Sequence, residues 1–172
     1  MKIRNGGPDD AADLLALLDG AVAWLAAQGR TRQWGDQPWS SRPKAVEKVH
    51  DYLGEAFLVR LAVDEEGRTV GSCVLAEEPP AYVAPAGERE LYVRNLVTDR
   101  SRSGSGIGAA LVADALDEAR RRGIGLVRVD CYAGGDRRLV GRYRALGFTE
   151  TEYFEAEQPD GVWEGQILAI RP

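Results

Sequence analysis

The residues best suited to chemistry in this 172-residue chain lie in one short run, Ser103-Gly104-Ser105-Gly106-Ile107-Gly108, which leads into an apolar-periodic stretch. Backbone N–H groups at the start of a helix lack intrahelical partners and carry partial positive charge. A glycine-rich turn in that position is therefore an anion site, and phosphate is its natural occupant. Gly104, Gly106 and Gly108 omit β-carbons where a ligand must approach closely, Ser105 adds a hydroxyl donor, and Arg102, with Arg100, adds charge-assisted contacts. A Walker loop is excluded because no Lys-Ser or Lys-Thr pair follows Gly108. A dinucleotide fold is disfavoured because Asp130 ends a strand in a sheet whose pattern is mostly antiparallel.

Other chemistries find less support. The one histidine, His50, stands in a helical stretch with no Asp or Ser motif around it, so no histidine-based triad is expected. Cys73 and Cys131 each sit inside an apolar, strand-like run without the spacing of a disulfide framework or a zinc site; both read as reduced thiols, and no metal is expected. The 27 acidic residues against 22 basic ones leave a net charge of −5, which disfavours nucleic acid as a partner and suits a small cationic substrate. Apolar residues at 44% and charged residues at 28% describe an ordinary globular chain, expected as a single domain over residues 1–172. No apolar stretch approaches the roughly 20 residues that span a bilayer, and Met1-Lys2-Ile3-Arg4 leads into polar residues; a cytoplasmic protein with no membrane contact is expected.

The elements that must position the turn follow from periodicity. Ile3 and its neighbours give a short strand, and Gly6-Gly7-Pro8-Asp9-Asp10 opens a helix whose apolar residues Leu14, Leu15, Leu17, Leu18, Val22 and Leu25 recur at helical spacing up to Ala27. Residues 30–43, with Gly35, Pro38 and Ser40, read as loop, and Trp34 and Trp39 within them are candidates either for packing or for lining a substrate pocket. A second helix is predicted over 43–54, and a hairpin over 57–76 turns at Asp64-Glu65-Glu66-Gly67-Arg68. After an irregular, proline-rich segment, a strand over 90–97 feeds the glycine turn and a helix over 107–122. A strand over 126–132, a helix from Asp136 to Leu146, and strands over 148–154 and 162–170 complete an α+β order.

The layout of Val97 to Leu116 resembles the GNAT acyltransferase family, whose central motif is a strand, then Arg/Gln-x-x-Gly-x-Gly/Ala, then a long amphipathic helix. Downstream, Tyr143-Arg144-Ala145-Leu146-Gly147-Phe148 matches the family's Tyr-x-x-x-Gly-Phe. Ser103 stands where the family's Arg or Gln opens the turn, with Arg102 beside it, and Asp136 replaces the frequent asparagine seven residues before the tyrosine.

This resemblance implies a GNAT fold: a mixed, mostly antiparallel central sheet of about seven strands with four flanking helices. It also implies acetyl-CoA, or another acyl-CoA, as cofactor. Backbone groups of Leu96 and Val97 would receive the pantetheine arm; Arg102, Ser103, Gly104, Ser105, Gly106, Ile107 and Gly108 would hold the pyrophosphate, with Asp136 capping the later helix near the cofactor. The implied activity is transfer of an acetyl group to a primary amine of a small molecule by direct attack in a ternary complex. Tyr143, a phenol protonated at neutral pH, matches the family's acid toward the leaving thiolate. An alkyl ammonium with a pKa near 10.4 must also lose a proton, and Glu90 stands where some members of the family place a glutamate.

Glu90, Tyr92, Arg94 and Leu96 alternate onto one strand face. Asp130 and Tyr132, with Trp34, Trp39 and Tyr82, are the candidates for binding the acceptor. Two alternatives remain open: transfer from a carrier protein's phosphopantetheine, and a sensor that binds acyl-CoA without turnover. The resemblance also implies a homodimer paired through Phe148 to Ile170.

Overall fold

The computed structural model describes residues 1–172. Seven strands form, named here β1 (Lys2–Asn5), β2 (Leu58–Val63), β3 (Thr69–Ala76), β4 (Leu91–Thr98), β5 (Val127–Tyr132), β6 (Thr149–Gln158) and β7 (Gly161–Ile170). They join one sheet in the order β1-β2-β3-β4-β5-β7-β6. The pairs β1/β2, β2/β3, β5/β7 and β6/β7 are antiparallel, and β4/β5 is parallel, the mixed sheet that the sequence pattern predicts. Helices α1 (Ala11–Ala27), α2 (Thr31–Trp34), α3 (Pro43–Tyr52), α4 (Ile107–Arg121) and α5 (Arg138–Ala145) complete the fold. None is long and apolar enough to cross a membrane.

Packing groups the chain into two compact units, one of Met1–Ala76 with Asn95–Ala115, the other of Glu77–Arg94 with Leu116–Pro172. In the first unit, the spacing of Leu14, Leu17, Leu18, Val22 and Leu25 puts them on one buried face of α1. Most of that face joins a core with Val49 and Tyr52 of α3, Leu61 and Val63 of β2, and Val74 of β3. The segment 30–43, expected to be loop, instead holds α2 and a 3-10 turn over Trp39–Ser41. The cause is tertiary. Trp39 is only 9% exposed and belongs to this core, Trp34 packs edge-on against it at 6.1 Å, and burial of so much ring area orders a stretch whose glycine and prolines read as irregular.

Two contacts seat the front half of α4 within this unit. Asp114 takes Arg60 of β2 in two hydrogen bonds of 2.7 and 2.9 Å. Gly71 of β3 has no side chain where a β-carbon would lie 2.7 Å from Ile107 Cγ2 and 3.0 Å from Leu111 Cδ1. The helix can therefore approach the strand more closely than any other residue would allow.

In the second unit β5 alternates, with Val127, Val129 and Cys131 buried on one face and Arg128, Asp130 and Tyr132 half-buried on the other. β6 and β7 form a long antiparallel hairpin, with a register shift between Glu150 and Glu152. A small core of Val83, Tyr92 and Ile167 takes Phe154 against it. The helix predicted from Asp136 begins two residues later, at Arg138, because Arg137 adopts a left-handed φ of 54° and Asp136 Oδ1 accepts from the Arg138 amide at 3.1 Å. Cys73 and Cys131 are both free and buried, and burial pushes each thiol up to about 12.

Candidate active site

The glycine turn is exposed, and its conformation explains its composition. Gly104 and Gly106 have φ of 85° and 80°, a region that favours glycine, while Ile107 is buried and anchors the start of α4. A β-carbon on Gly104 or Gly106 would meet nothing within 4 Å, so the space over the turn is open. The first bond closing the helix runs from the Ala110 amide to Gly106 O, which leaves the amides of Ile107, Gly108 and Ala109 ahead of the intrahelical ladder. A cavity of about 580 Å3 is lined by Met1, Asp64, Val70, Arg102, Ser103, Gly104, Ser105 and Ile107. An open, glycine-built turn ahead of a 15-residue helix fits a pyrophosphate.

Two side chains of the turn have other partners. Arg102 Nη2 donates to Asp64 Oδ2 at 2.7 Å, and its Nε lies 3.4 Å from Asp99. Ser105 Oγ donates to Arg102 O at 2.6 Å. The backbone amide of Arg68, then its side chain, hold the Asp64 carboxyl below the usual carboxylate range, so Arg102 faces an anion fixed by the β2–β3 turn.

The parallel ladder between β4 and β5 runs from Leu91↔Val127 to Val93↔Val129 and then stops. The later β4 residues, including Leu96 and Val97, lie outside that ladder, with Val97 buried in the first unit's core. Beyond the same point β5 continues to pair with β7 as far as Tyr132↔Gly165.

In the second unit, Tyr143 of α5 is 6% exposed, and its ring meets Phe148 edge-on at 5.6 Å, which accounts for the spacing of tyrosine and phenylalanine around Gly147. Glu90 is 3% exposed, and both of its oxygens accept from Arg128, at 2.5 and 2.7 Å. That bidentate pair raises the Arg128 pKa above its ordinary value, chiefly through the hydrogen bond. A residue so enclosed reaches an acceptor only through an intervening group.

Asp130 lies between two phenols. Tyr92 donates to Oδ1 at 2.7 Å and Tyr82 to Oδ2 at 2.9 Å. Burial raises the Asp130 pKa against the opposing pull of those two bonds, and the Tyr92 phenol is raised by its own burial and by the Asp130 charge. Tyr82 is 62% exposed and lies 5.7 Å from Phe154, which lies 5.9 Å from Trp163, which lies 5.9 Å from Tyr132. Three of the acceptor candidates, Tyr82, Asp130 and Tyr132, thus belong to one cluster. Trp34 and Trp39 belong to the first unit's core, and His50 is exposed on α3.

Sequence reasoning missed Arg128, Phe154 and Trp163. The alternation of Arg128 with Asp130 and Tyr132 along β5 was the available signal for the first. For the other two the strand register was needed, because Phe154↔Gly165 and Tyr132↔Gly165 bring them to one place.

Residues 19–148 match the acetyltransferase (GNAT) family. The chain is also 32% identical over 143 residues to a mycothiol acetyltransferase from Clavibacter michiganensis subsp. michiganensis, an alignment covering 83% of this chain and 40% of that protein. The chain belongs to the GNAT acetyltransferase family, and it spans about 40% of the length of this relative. Solved structures share the fold. A ribosomal-protein-alanine N-acetyltransferase from Brucella melitensis superposes with a TM-score of 0.70 at 21% identity, covering 100% of both chains. The yncA protein of Salmonella typhimurium, solved with its cofactor acetyl-CoA, gives 0.69 at 17% identity over 99% of this chain and 92% of that one. An N-acetyltransferase from Staphylococcus aureus Mu50 gives 0.72 at 15% identity over 99% and 97%.

Proposed function

We propose that this chain is an N-acetyltransferase that moves an acetyl group from acetyl-CoA to the primary amine of a small molecule by direct attack. The observation that carries the reading is the end of the β4–β5 ladder at Val93, which leaves backbone groups of Leu96 and Val97 outside it for a pantetheine arm. Family membership supports the cofactor, and similarity to a mycothiol acetyltransferase supports a small-molecule acceptor.

Acetyl-CoA supplies a thioester carbonyl and a thiol leaving group. The amides of Ile107, Gly108 and Ala109, ahead of the intrahelical ladder, would hold the pyrophosphate, and Arg102 fixes the turn through Asp64. Asp130 takes a proton from the incoming ammonium, a role that suits a carboxylate whose pKa burial raises above its ordinary value. As the N–C bond forms and the C–S bond breaks, Tyr143 would give its phenolic proton to the leaving sulfur, and the second proton shed by nitrogen would return to the Tyr143 phenolate, leaving the first on Asp130 as the net proton released. Glu90 acts through Arg128 as a positioning residue. Asp136 Oδ1 accepts from the amide of Arg138, the first residue of α5, which carries Tyr143.

The test is to mix the protein with acetyl-CoA and a panel of amines while following thiol release and the mass of the acceptor. Thiol release that requires an amine, with one acetyl group appearing on that amine, is expected. Failure to bind acetyl-CoA, or binding with no acetylation of any amine, would overturn the reading.

A further inference from the structure

We infer that the acceptor is a primary amine carried on an aromatic ring, bound with its ammonium at Asp130 and its ring along the strip formed by Tyr82, Phe154 and Trp163. The inference rests on the acyltransfer reading and deepens it by naming the substrate class.

Three observations converge. The first is the carboxylate: Asp130 accepts from Tyr82 and Tyr92, so its position is fixed from two sides while it stays half-buried, neither sealed off nor free to swing. A carboxylate in that setting is screened less than one at the surface, and it attracts a compact ammonium strongly. The second is the strip of rings. Starting from Tyr82, which touches Asp130 directly, the centroids follow at 5.7 and 5.9 Å with interplanar angles of 34° and 44°. These spacings fall within the range of about 4.5–7 Å over which aromatic rings attract each other, with tilts between the stacked and edge-to-face limits, and a further ring adds to such an array more favourably than a flexible chain or a hydrated sugar does.

The third observation is the floor beneath the strip. Gly165 of β7 faces Phe154 across the β6–β7 ladder, and a β-carbon there would lie 2.3 Å from Phe154 Cζ and 2.7 Å from Trp163 Cζ3. Glycine is therefore what lets the two rings rest on the sheet. A sheet face that gives up a side chain to keep two aromatics in place is built around their surface. Between them, Asp130 and the strip distinguish a ligand by charge at one end and by flatness along its body.

The experiment titrates the intact protein, in the presence of CoA, with 2-phenylethylamine, 1,4-diaminobutane and glucosamine, using calorimetry; thiol release with acetyl-CoA is then measured for the same three. The aryl amine is expected to bind about tenfold more tightly than either comparison amine, the equivalent of roughly 1.4 kcal/mol. Asp130→Asn should weaken the aryl amine about tenfold. Tyr82→Ala, at an exposed position, and Phe154→Leu, which keeps apolar volume but removes the ring, should each lower the ratio of aryl to diamine affinity severalfold. Equal affinity for the three amines, no binding of the aryl amine, or full affinity in Asp130→Asn overturns the inference. The two readings fail separately: an aryl amine that binds selectively but is never acetylated refutes the enzyme and keeps the site, whereas efficient acetylation of all three amines refutes the site and keeps the enzyme.

Discussion

Arg102 and Asp64 meet at 2.7 Å, a contact that joins the glycine turn to the β2–β3 hairpin within one compact unit. The guanidinium one residue before Ser103 is thus a brace for the turn, and its charge is already matched by Asp64 and by Asp99 at 3.4 Å. The two possible roles of Arg102 predict opposite effects of one substitution. If Arg102 braces the turn, Asp64→Asn should weaken acetyl-CoA binding severalfold. If Arg102 instead reached the phosphates, the same change would free it and tighten binding. Calorimetric titration of acetyl-CoA into wild type, Asp64→Asn and Arg102→Ala decides between them, and loss of affinity in both variants is the expected result.

Tyr143→Phe should reduce turnover by about 100-fold or more, the lower range for a positioned acid, while the acetyl-CoA dissociation constant stays within twofold. The ring is buried at 6% exposure against Phe148, and phenylalanine preserves that packing. Single-turnover thiol release beside a binding titration makes the comparison. Normal turnover removes Tyr143 from the chemistry.

Glu90→Gln is expected to lower stability by about 3 kcal/mol, because it leaves Arg128 without its anion in a buried pair. Denaturant unfolding measures this. If Glu90 only positions Arg128, the acidic limb of kcat/KM against pH should keep its midpoint in the variant. A limb that moves or disappears returns Glu90 to the proton path.

Asp130 is raised by burial in the folded state, so the sign of its linkage is the reverse of that for a salt-bridged carboxylate. Its contribution favours folding below the unfolded pKa of about 3.9 and is lost as pH rises through the higher folded value. Above the unfolded pKa, burial of Asp130 therefore costs stability. Asp130→Asn should melt at a higher temperature than wild type at pH 7, and the gap should narrow as the pH is lowered toward 4. Thermal unfolding at a series of pH values checks it; a variant less stable at pH 7 contradicts it.

Gly71→Ala should destabilise by about 1–3 kcal/mol, the usual cost of overpacking, since its methyl would lie 2.7 Å from Ile107 Cγ2. Because Ile107 is the first residue of α4, the displacement falls on the turn, and acetyl-CoA affinity should decline with stability. Paired unfolding and binding measurements test whether the two losses travel together.

Much of this architecture was legible from local pattern. The spacing of Leu14, Leu18, Val22 and Leu25 gave α1, and the glycine turn announced itself because Gly104 and Gly106 occupy backbone conformations that other residues avoid. What stayed hidden depends on pairing across long stretches of chain. Arg128 lies 38 residues from Glu90, and nothing local to either marks them as partners. Phe154 and Trp163 come beside Tyr82 and Tyr132 only through the β6–β7 register, and residues 30–43 gained helical turns because Trp39 found a core there. Conversely, the two tryptophans that drew attention by their loop setting are accounted for by packing.

The burial of both cysteines has a practical consequence. Disulfide reagents that report a thiol do so by reacting with its thiolate, and burial holds the Cys73 and Cys131 thiols up at about 12, almost wholly protonated at neutral pH and shielded from reagent. The folded protein should therefore be colourless to such a reagent. Any absorbance that grows with time would report either the cofactor's sulfur or unfolding, and a blank without amine tells the two apart.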